Sequence, residues 1–424
     1  MPLSRRFFLK RASTWGIGGL LLAGRPSPAR SATVQPLPPR TVRIAHLSRR
    51  EGPLAGMASY AIMGAQLGAE EANVTAGMFG TQVELIIEDA VRPEQVAQTA
   101  RHLSAQPNLA AIIGALDDPT TVLLSEFGQQ QRVVVLNAAA RGGSLRGDTC
   151  HRHTFHVEPD LAMHAHAVGQ WLLQNTWKRW SFVVSGDPLG EEVYHTASRW
   201  LHSRGGMEVG RHRSALGQRD YTPILESAAR QNAEVIFVTL RGEELLQFLR
   251  QFREAGVAAH VAGAPLDMLS LWKAGTERLD GVWATSWYHQ LERFSARELN
   301  RRFLRRFSKP AEAYAWANWA AVKLIVEGIL RRTSADPATL VNYLESSPAF
   351  DGHKGKALTF REWNHQLRQP LYVVKARDAT PANAWALLEV VAEVPSPAAR
   401  GKPVWELLDT LGEAKAESTC HLEP

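Results

Sequence analysis

The chain has 424 residues, 48 Lys+Arg against 42 Asp+Glu, and only two cysteines. That length exceeds what one hydrophobic core organises, about 250–300 residues, so two or more domains are expected. A composition of 45% apolar and 21% charged residues excludes disordered and collagen-like classes, and two cysteines exclude a disulfide scaffold or a four-thiolate metal site.

The formal charge of +6 would raise nucleic acid or anionic lipid as a partner, but its position argues otherwise. Arg5, Arg6, Lys10, Arg11, Arg25 and Arg30 lie within residues 1–31, which contain no acid. They flank a short apolar stretch from Trp15 to Gly24, followed by Ala29-Arg30-Ser31. A basic start, a short apolar centre and a small-residue cleavage site describe an export signal. Arg5-Arg6-Phe7-Phe8-Leu9-Lys10 is similar to a Tat-type, twin-arginine signal. An amphipathic helix or an uncleaved anchor is the alternative. Cleavage after Ser31 would remove all six charges and leave a formally neutral chain, which speaks against nucleic acid. The Gly16-Ile17-Gly18-Gly19 run belongs to this segment and is not a nucleotide loop.

Beyond a Pro-rich lead (Pro36, Pro38, Pro39), strand-like and helix-like segments alternate. Short apolar runs predict strands at 42–47, 83–88, 110–114, 133–137, 155–157, 181–185, 235–240, 281–286 and 371–375, the signature of parallel strands covered on both faces. Helical periodicity falls at 55–71, 93–104, 120–130, 161–174, 191–203, 222–231, 243–255, 296–307, 312–331 and 337–345. Asp118-Pro119 and Asp336-Pro337 place Pro at first helical positions. The apolar 312–331 segment is interrupted by Asn318, Lys323 and Glu327, which predicts a buried core helix and not a membrane span. The alternation predicts doubly wound α/β lobes.

Glu51-Gly52-Pro53-Leu54-Ala55-Gly56, Met63-Gly64-Ala65, Ile87-Glu88-Asp89 with Arg92-Pro93-Glu94-Gln95, and Ala111-Ile112-Ile113-Gly114 with Thr120 together resemble the type 1 periplasmic binding proteins. These are the Leu/Ile/Val-type solute receptors of ABC importers. Gly186-Asp187, Leu189-Gly190, Phe248-Leu249-Arg250-Gln251 and the Tyr314–Leu330 helix continue the likeness in order. A narrower resemblance rests on Leu145-Arg146-Gly147-Asp148-Thr149-Cys150, His156, Trp177-Lys178-Arg179-Trp180 and the Glu406 to Cys420 tail. It points to the subgroup associated with PQQ-dependent alcohol dehydrogenase systems. The resemblance implies two Rossmann-like lobes joined by three crossovers, a ligand in the cleft between them, an inner-membrane ABC permease as partner, and a periplasmic monomer. The expected division is 1–31 signal, 41–155 plus 284–345 first lobe, 156–283 plus 346–395 second lobe, and 396–424 a tail packing back on the first lobe.

In the amino-acid receptors of that family, hydroxyl and backbone groups hold the ligand carboxylate and an acid holds the ammonium. This sequence departs from the pattern. Asp117-Asp118 stands where a Ser is wanted, Arg141 where a Thr would sit, and Gly263-Ala264-Pro265 lacks the acid, although Asp267 is near. The α-amino-acid clamp is therefore not reproduced. Asp118, Arg141, Arg241 and Asp267 would suit a polar or acidic solute, and Asp187 is a further candidate. Met57, Leu189, Trp287 and Tyr288 would suit an apolar one. Asn137 and Ala139 complete the candidate ligand set. The structural alternative for each is a solvated lip or a packing role.

In an oxidising periplasm Cys150 and Cys420 are most simply a disulfide, tying the tail to the first lobe, against two unpaired thiols. Cys150 with His151, His153, His156, His164 and His166 is also a candidate Zn or Cu cluster. His156 would nevertheless fall on the opposite strand face from His151 and His153, so a non-metal reading is preferred. Trp171, Trp177, Trp180 and Trp200 suit core packing better than a carbohydrate platform. In 301–307, Phe303 and Phe307 share a helix face turned inward, leaving the arginines solvated. No GxSxG, HExxH, phosphate-loop or dinucleotide motif is present, and no cofactor or metal is called for. A non-enzymatic binding protein is expected. The alternatives are a dehydrogenase-associated accessory protein on the same fold and a periplasmic metal-binding protein.

Overall fold

The computed structural model describes residues 40–423 apart from 90–91, 116, 276–278, 294, 379, 381–382 and 397–401. The segment expected to be an export signal, its glycine run and the Pro-rich lead lie outside the described residues. Among the described residues no helix is long and apolar enough to cross a membrane.

The first lobe is built from β1 (Arg40–Ser48), α1 (Ala55–Gly77), β2 (Thr81–Asp89), α2 (Pro93–Ser104), β3 (Leu109–Ala115), α3 (Asp118–Gln131), β4 (Val134–Asn137) and β5 (Thr154–His156). Its five strands are parallel in the order β2-β1-β3-β4-β5. All four residues of β4 are buried, as expected of a strand covered on both faces.

The chain then crosses to α4 (Leu161–Gln174), β6 (Arg179–Ser185), α5 (Pro188–Ser203), β7 (Met207–Ser214), α6 (Thr222–Arg230), β8 (Val235–Val238), α7 (Gly242–Ala255), β9 (His260–Gly263), α8 (Met268–Lys273) and β10 (Val282–Thr285). It returns with α9 (Ala296–Phe307), α10 (Ala313–Arg332) and α11 (Pro337–Glu345). After a small sheet, β11 (Phe350–Asp351), β12 (Ala357–Phe360) and β13 (Leu367–Arg368), it ends in β14 (Leu371–Ala376), β15 (Leu388–Val394) and α12 (Val404–Leu408). The second sheet runs β15-β14-β10-β9-β8-β6-β7, with β14 alone reversed, antiparallel to both of its neighbours β10 and β15. Three passages therefore link the two sheets.

The α10 helix is a core helix, packed along α1. Gly64 makes the approach possible: a Cβ there would collide with the Ala315 carbonyl, so any side chain would push the two helices apart. Helix α9 docks on the same helix through Arg302–Glu71 at 2.6 Å and Arg306–Glu70 at 2.9 Å, while Phe303 is buried. Part of the basic face is thus paired within the fold and not left entirely to solvent.

Periodicity located α2, α4, α9 and α11 at the residues where they occur. Strands β7, β9 and β15 and the small sheet were not expected. Strand β7 lies at a sheet edge with mostly part-exposed residues, so it has no continuous apolar run to betray it. The tail does more than return to the first lobe: Leu411 sits in the apolar cluster of α4, α5 and β6, and Asp409 pairs with Arg361 and Arg368 at 2.9 Å.

Candidate functional site

Loops leaving the C-terminal ends of the parallel strands face one another between the sheets, where doubly wound folds hold ligands. Met57, Ala61 and Ala139 form a small apolar cluster with Leu54 and Tyr314 of the first lobe and Leu269 of the second. A Cβ on Gly56 would lie 3.3 Å from Leu269 Cδ1, and the rings of Tyr60 and Trp272 are 5.7 Å apart. The Gly143 N–H donates to Glu192 Oε1 at 2.7 Å. The lobes meet directly, in a closed arrangement.

Most of the predicted polar set is engaged in shaping this cleft. Asp118 Oδ1 accepts the backbone N–H groups of Arg141 and Gly142, each at 2.9 Å, latching the loop after β4 to α3. Asp187 caps α5 through the Gly190 N–H at 2.9 Å, and its other oxygen takes the Ser185 hydroxyl and Arg241 Nη2 at 2.6 and 2.8 Å. Half-burial opposes ionisation of Asp187, but these donors outweigh it and hold the carboxyl below its ordinary range. Asp267 caps α8 through Ser270 at 3.1 Å and fastens Gly242 at 3.0 Å. Side-chain caps of this kind satisfy the orphan N–H groups of a helix start.

Asn137 is buried and shapes the same loop: its amide donates to the Ala140 carbonyl at 2.9 Å, and its oxygen accepts from Ala139 and Ala140. Leu189 is half-buried against the second-lobe core. Trp287 departs from its expected place on an apolar pocket wall. It is 1% exposed, stacks on Trp316 with centroids 5.8 Å apart and donates its indole N–H to Asn300 at 2.8 Å. Tyr288 is likewise spent, donating to the Leu388 carbonyl at 3.0 Å. Both aromatic rings fill the join between sheets because each has an internal partner for its polar atom.

Arg141 lies at the centre. It is buried, gives Nε and Nη2 to Glu158 Oε1 at 2.8 and 2.7 Å, and stands 4.9 Å over the Tyr314 ring. Glu158, in the first passage between the sheets, is fully buried; desolvation pushes its carboxyl up while Arg141 pulls it back. His164 of α4 donates from Nδ1 to the Ala284 carbonyl at 3.0 Å, and burial keeps the ring neutral by holding its pKa well below normal. Lys354 Nζ, also buried, meets Gln369 at 2.6 Å and the Trp316 ring at 3.7 Å. Glu312 caps α10 through the Tyr314 and Ala315 N–H groups at 3.0 Å; burial raises its carboxyl to about 7 against those bonds. Sequence reading missed Glu158, His164, Lys354, Glu312 and Tyr314 as one group. A Glu immediately after a strand and ahead of the Asp160 helix cap was the available signal.

Cys150 and Cys420 are bonded, with Cα atoms 5.6 Å apart, so the thiolate of the proposed metal cluster is consumed. The histidines turn to separate partners: His151 to Ser125, His153 to Gln129, His156 to Asn137, and His166 to the Gly412 N–H. Among the described residues no group of three or more His, Cys, Asp or Glu side chains is placed to hold a metal ion. The tryptophans pack internally, Trp180 against Phe237 at 5.4 Å and Trp171 against Trp177 at 5.5 Å.

Two lobes with parallel sheets, three passages and a cleft at the strand ends define the type 1 periplasmic binding protein fold. Residues 41–381 match the periplasmic binding protein family, and the chain belongs to it. It is 20% identical over 311 residues to the Leu/Ile/Val-binding protein of Escherichia coli K12, covering 72% of this chain and 83% of that one. A branched chain amino acid ABC transporter periplasmic ligand-binding protein from Burkholderia xenovorans superposes with TM-score 0.77 at 21% identity, over 83% of this chain and 95% of that one. A Rhodopseudomonas palustris ABC transporter solute binding protein, solved with 3,4-dihydroxy benzoic acid, superposes with TM-score 0.68 at 17% identity, over 83% and 97%.

Proposed function

We propose that this protein is an exported solute receptor that delivers a small molecule, other than a standard α-amino acid, to an ABC importer in the inner membrane. The observation that carries this reading is the meeting of Met57, Ala139 and Tyr314 with Leu269 across the two lobes: residues from both lobes converge at the strand ends. Ligand would favour this closed arrangement through its greater affinity for it. Met57, Ala139 and Leu189 would line the bound solute, and Asn137, Arg141, Asp118, Asp187, Arg241 and Asp267 would act by fixing the loops around it. Trp287 would support the join between sheets. The twin-arginine start agrees with a periplasmic address. The named ligands of the relatives, branched-chain amino acids and 3,4-dihydroxy benzoic acid, indicate that the fold accommodates different small solutes.

A second reading is a dehydrogenase-associated accessory protein, of the PQQ-linked kind suggested by the tail motif. The direct Gly143–Glu192 contact favours it, since a cleft closed by its own groups suits a scaffold. Mass spectrometry of small molecules released from natively purified protein separates the two. A stoichiometric solute that restores thermal stability when added back supports the receptor. No solute, with specific capture of a dehydrogenase, overturns it.

A further inference from the structure

The Arg141–Glu158 pair uses only half of the carboxylate. Both guanidinium contacts go to Oε1, while Glu158 Oε2 is buried and has no hydrogen-bond partner. His164 Nε2 is also buried and unpartnered, 4.0 Å from Glu158 Oε1. Because Nδ1 of this imidazole carries its hydrogen to the Ala284 carbonyl, Nε2 presents a lone pair. Two residues past Ala284, the Ser286 hydroxyl is buried without a partner as well. Glu158 and His164 are 0% and 1% exposed. Two acceptors left unpaired at such depth keep the full cost of their lost hydration, so the arrangement asks for a donor.

The groups come from three parts of the chain: Arg141 from the first lobe, Glu158 from the first passage, and His164 from the second-lobe helix α4. Glu158 and His164 belong to one short stretch leading into α4, and Arg141 reaches it from the loop after β4. A solute seated on Glu158 and His164 and touching first-lobe residues as well would favour closure through those cross-lobe contacts.

We propose that Glu158 Oε2 and His164 Nε2 form a donor-accepting subsite at the inner end of the cleft, which takes the hydroxyl or ammonium head of the solute. This rests on the receptor reading above and names its ligand chemistry. An anionic head is disfavoured there, since it would add a third acceptor to two unpaired ones. Arg141, already bound to Glu158 and stacked on Tyr314, is a positioning residue that holds the carboxylate with Oε2 free.

The test follows the ring nitrogens of His164 by NMR in the full mature protein, with propan-1-ol, propylamine and butyrate as probes. Propan-1-ol, propylamine or both shift the His164 signal saturably, their ratio telling hydroxyl from ammonium, and butyrate does not. Glu158→Gln weakens the response at least tenfold, because its amide N–H would itself donate toward His164. His164→Phe, with binding read by calorimetry, gives the same loss should Glu158→Gln fail to fold. The subsite is overturned if neither donor probe acts on His164, if butyrate acts equally, or if both variants bind as the parent does. Should a co-purified solute bind undiminished in both variants, the subsite fails and the receptor stands. Should no solute be found while the donor probes still act on His164, the receptor reading fails and the subsite stands.

Discussion

Arg141 and Glu158 meet through two short contacts on one carboxylate oxygen, 2.8 Å from Nε and 2.7 Å from Nη2, with side chains 8% and 0% exposed. One residue belongs to a first-lobe loop and the other to a passage between the sheets, so the pair fastens the cleft to the join.

Breaking this pair leaves a charge with no partner in the interior. Arg141→Met is expected to lower unfolding free energy by about 3 kcal/mol, in the range for stranding a buried ion. Arg141→Met with Glu158→Gln should recover most of that loss. Urea denaturation of the two variants checks it, and equal losses would refute the pairing.

Asp267 fastens two loop segments at once, through Ser270 and Gly242. Asp267→Ala is expected to cost about 1–2 kcal/mol, and Asp267→Asn, which keeps an acceptor, only a fraction of it. Thermal unfolding distinguishes this from a group that acts only on solute, whose loss would leave the midpoint unchanged.

The Cys150–Cys420 bond closes a loop of 270 positions. Replacing both cysteines with Ser is expected to cost about 2–5 kcal/mol through the greater freedom of the unfolded chain. Asp409 and Leu411 hold the tail independently, so limited proteolysis should find it still protected below the transition. Rapid cleavage at 404–420 under native conditions would contradict that.

Glu345 is held at about 2. Partial burial alone would raise it, but the bidentate Arg152 contact at 2.7 and 2.8 Å and His365 lower it further. Because the folded carboxyl lies below its ordinary value of 4.5, its stabilisation is full above that pH and lost as pH falls toward 2. The group is 27% exposed, which limits the effect to about 1–2 kcal/mol. Glu345→Gln should flatten stability against pH over that window, measured by urea midpoints; an unchanged slope would sink the assignment.

Gly64 marks the closest approach of α1 and α10. Gly64→Val should destabilise by about 1–3 kcal/mol through overpacking, whereas Gly77→Ala, with open space around it, should be tolerated. Thermal midpoints of the two variants check the contrast.

Strand runs, helix periodicity and the Asp–Pro helix starts are local features, and they placed most of the two lobes before any contact was known. The edge strands β7 and β15 escaped because they alternate or carry polar residues, and the interior β9 because His260–Gly263 is too short an apolar run to stand out. Among the polar candidates, Asp118, Asp187 and Asp267 serve backbone N–H groups. An Asp at a strand end reads the same whether it faces a ligand or a helix start; only the direction of its oxygens separates the two.

By itself the sequence determined the α/β class, the two-lobed organisation, the charge segregated in residues 1–31 and the presence of only two thiols, because composition and short-range pattern depend on neighbours along the chain. The tertiary structure decided that those thiols are joined, that Trp287 belongs to the interior and that Arg141 answers to Glu158. It also brought Lys354, from far along the chain, to the neighbourhood of Glu158 and His164. Burial and pairing are properties of neighbours in space, and a side chain's chemistry is settled only when the fold has chosen what surrounds it.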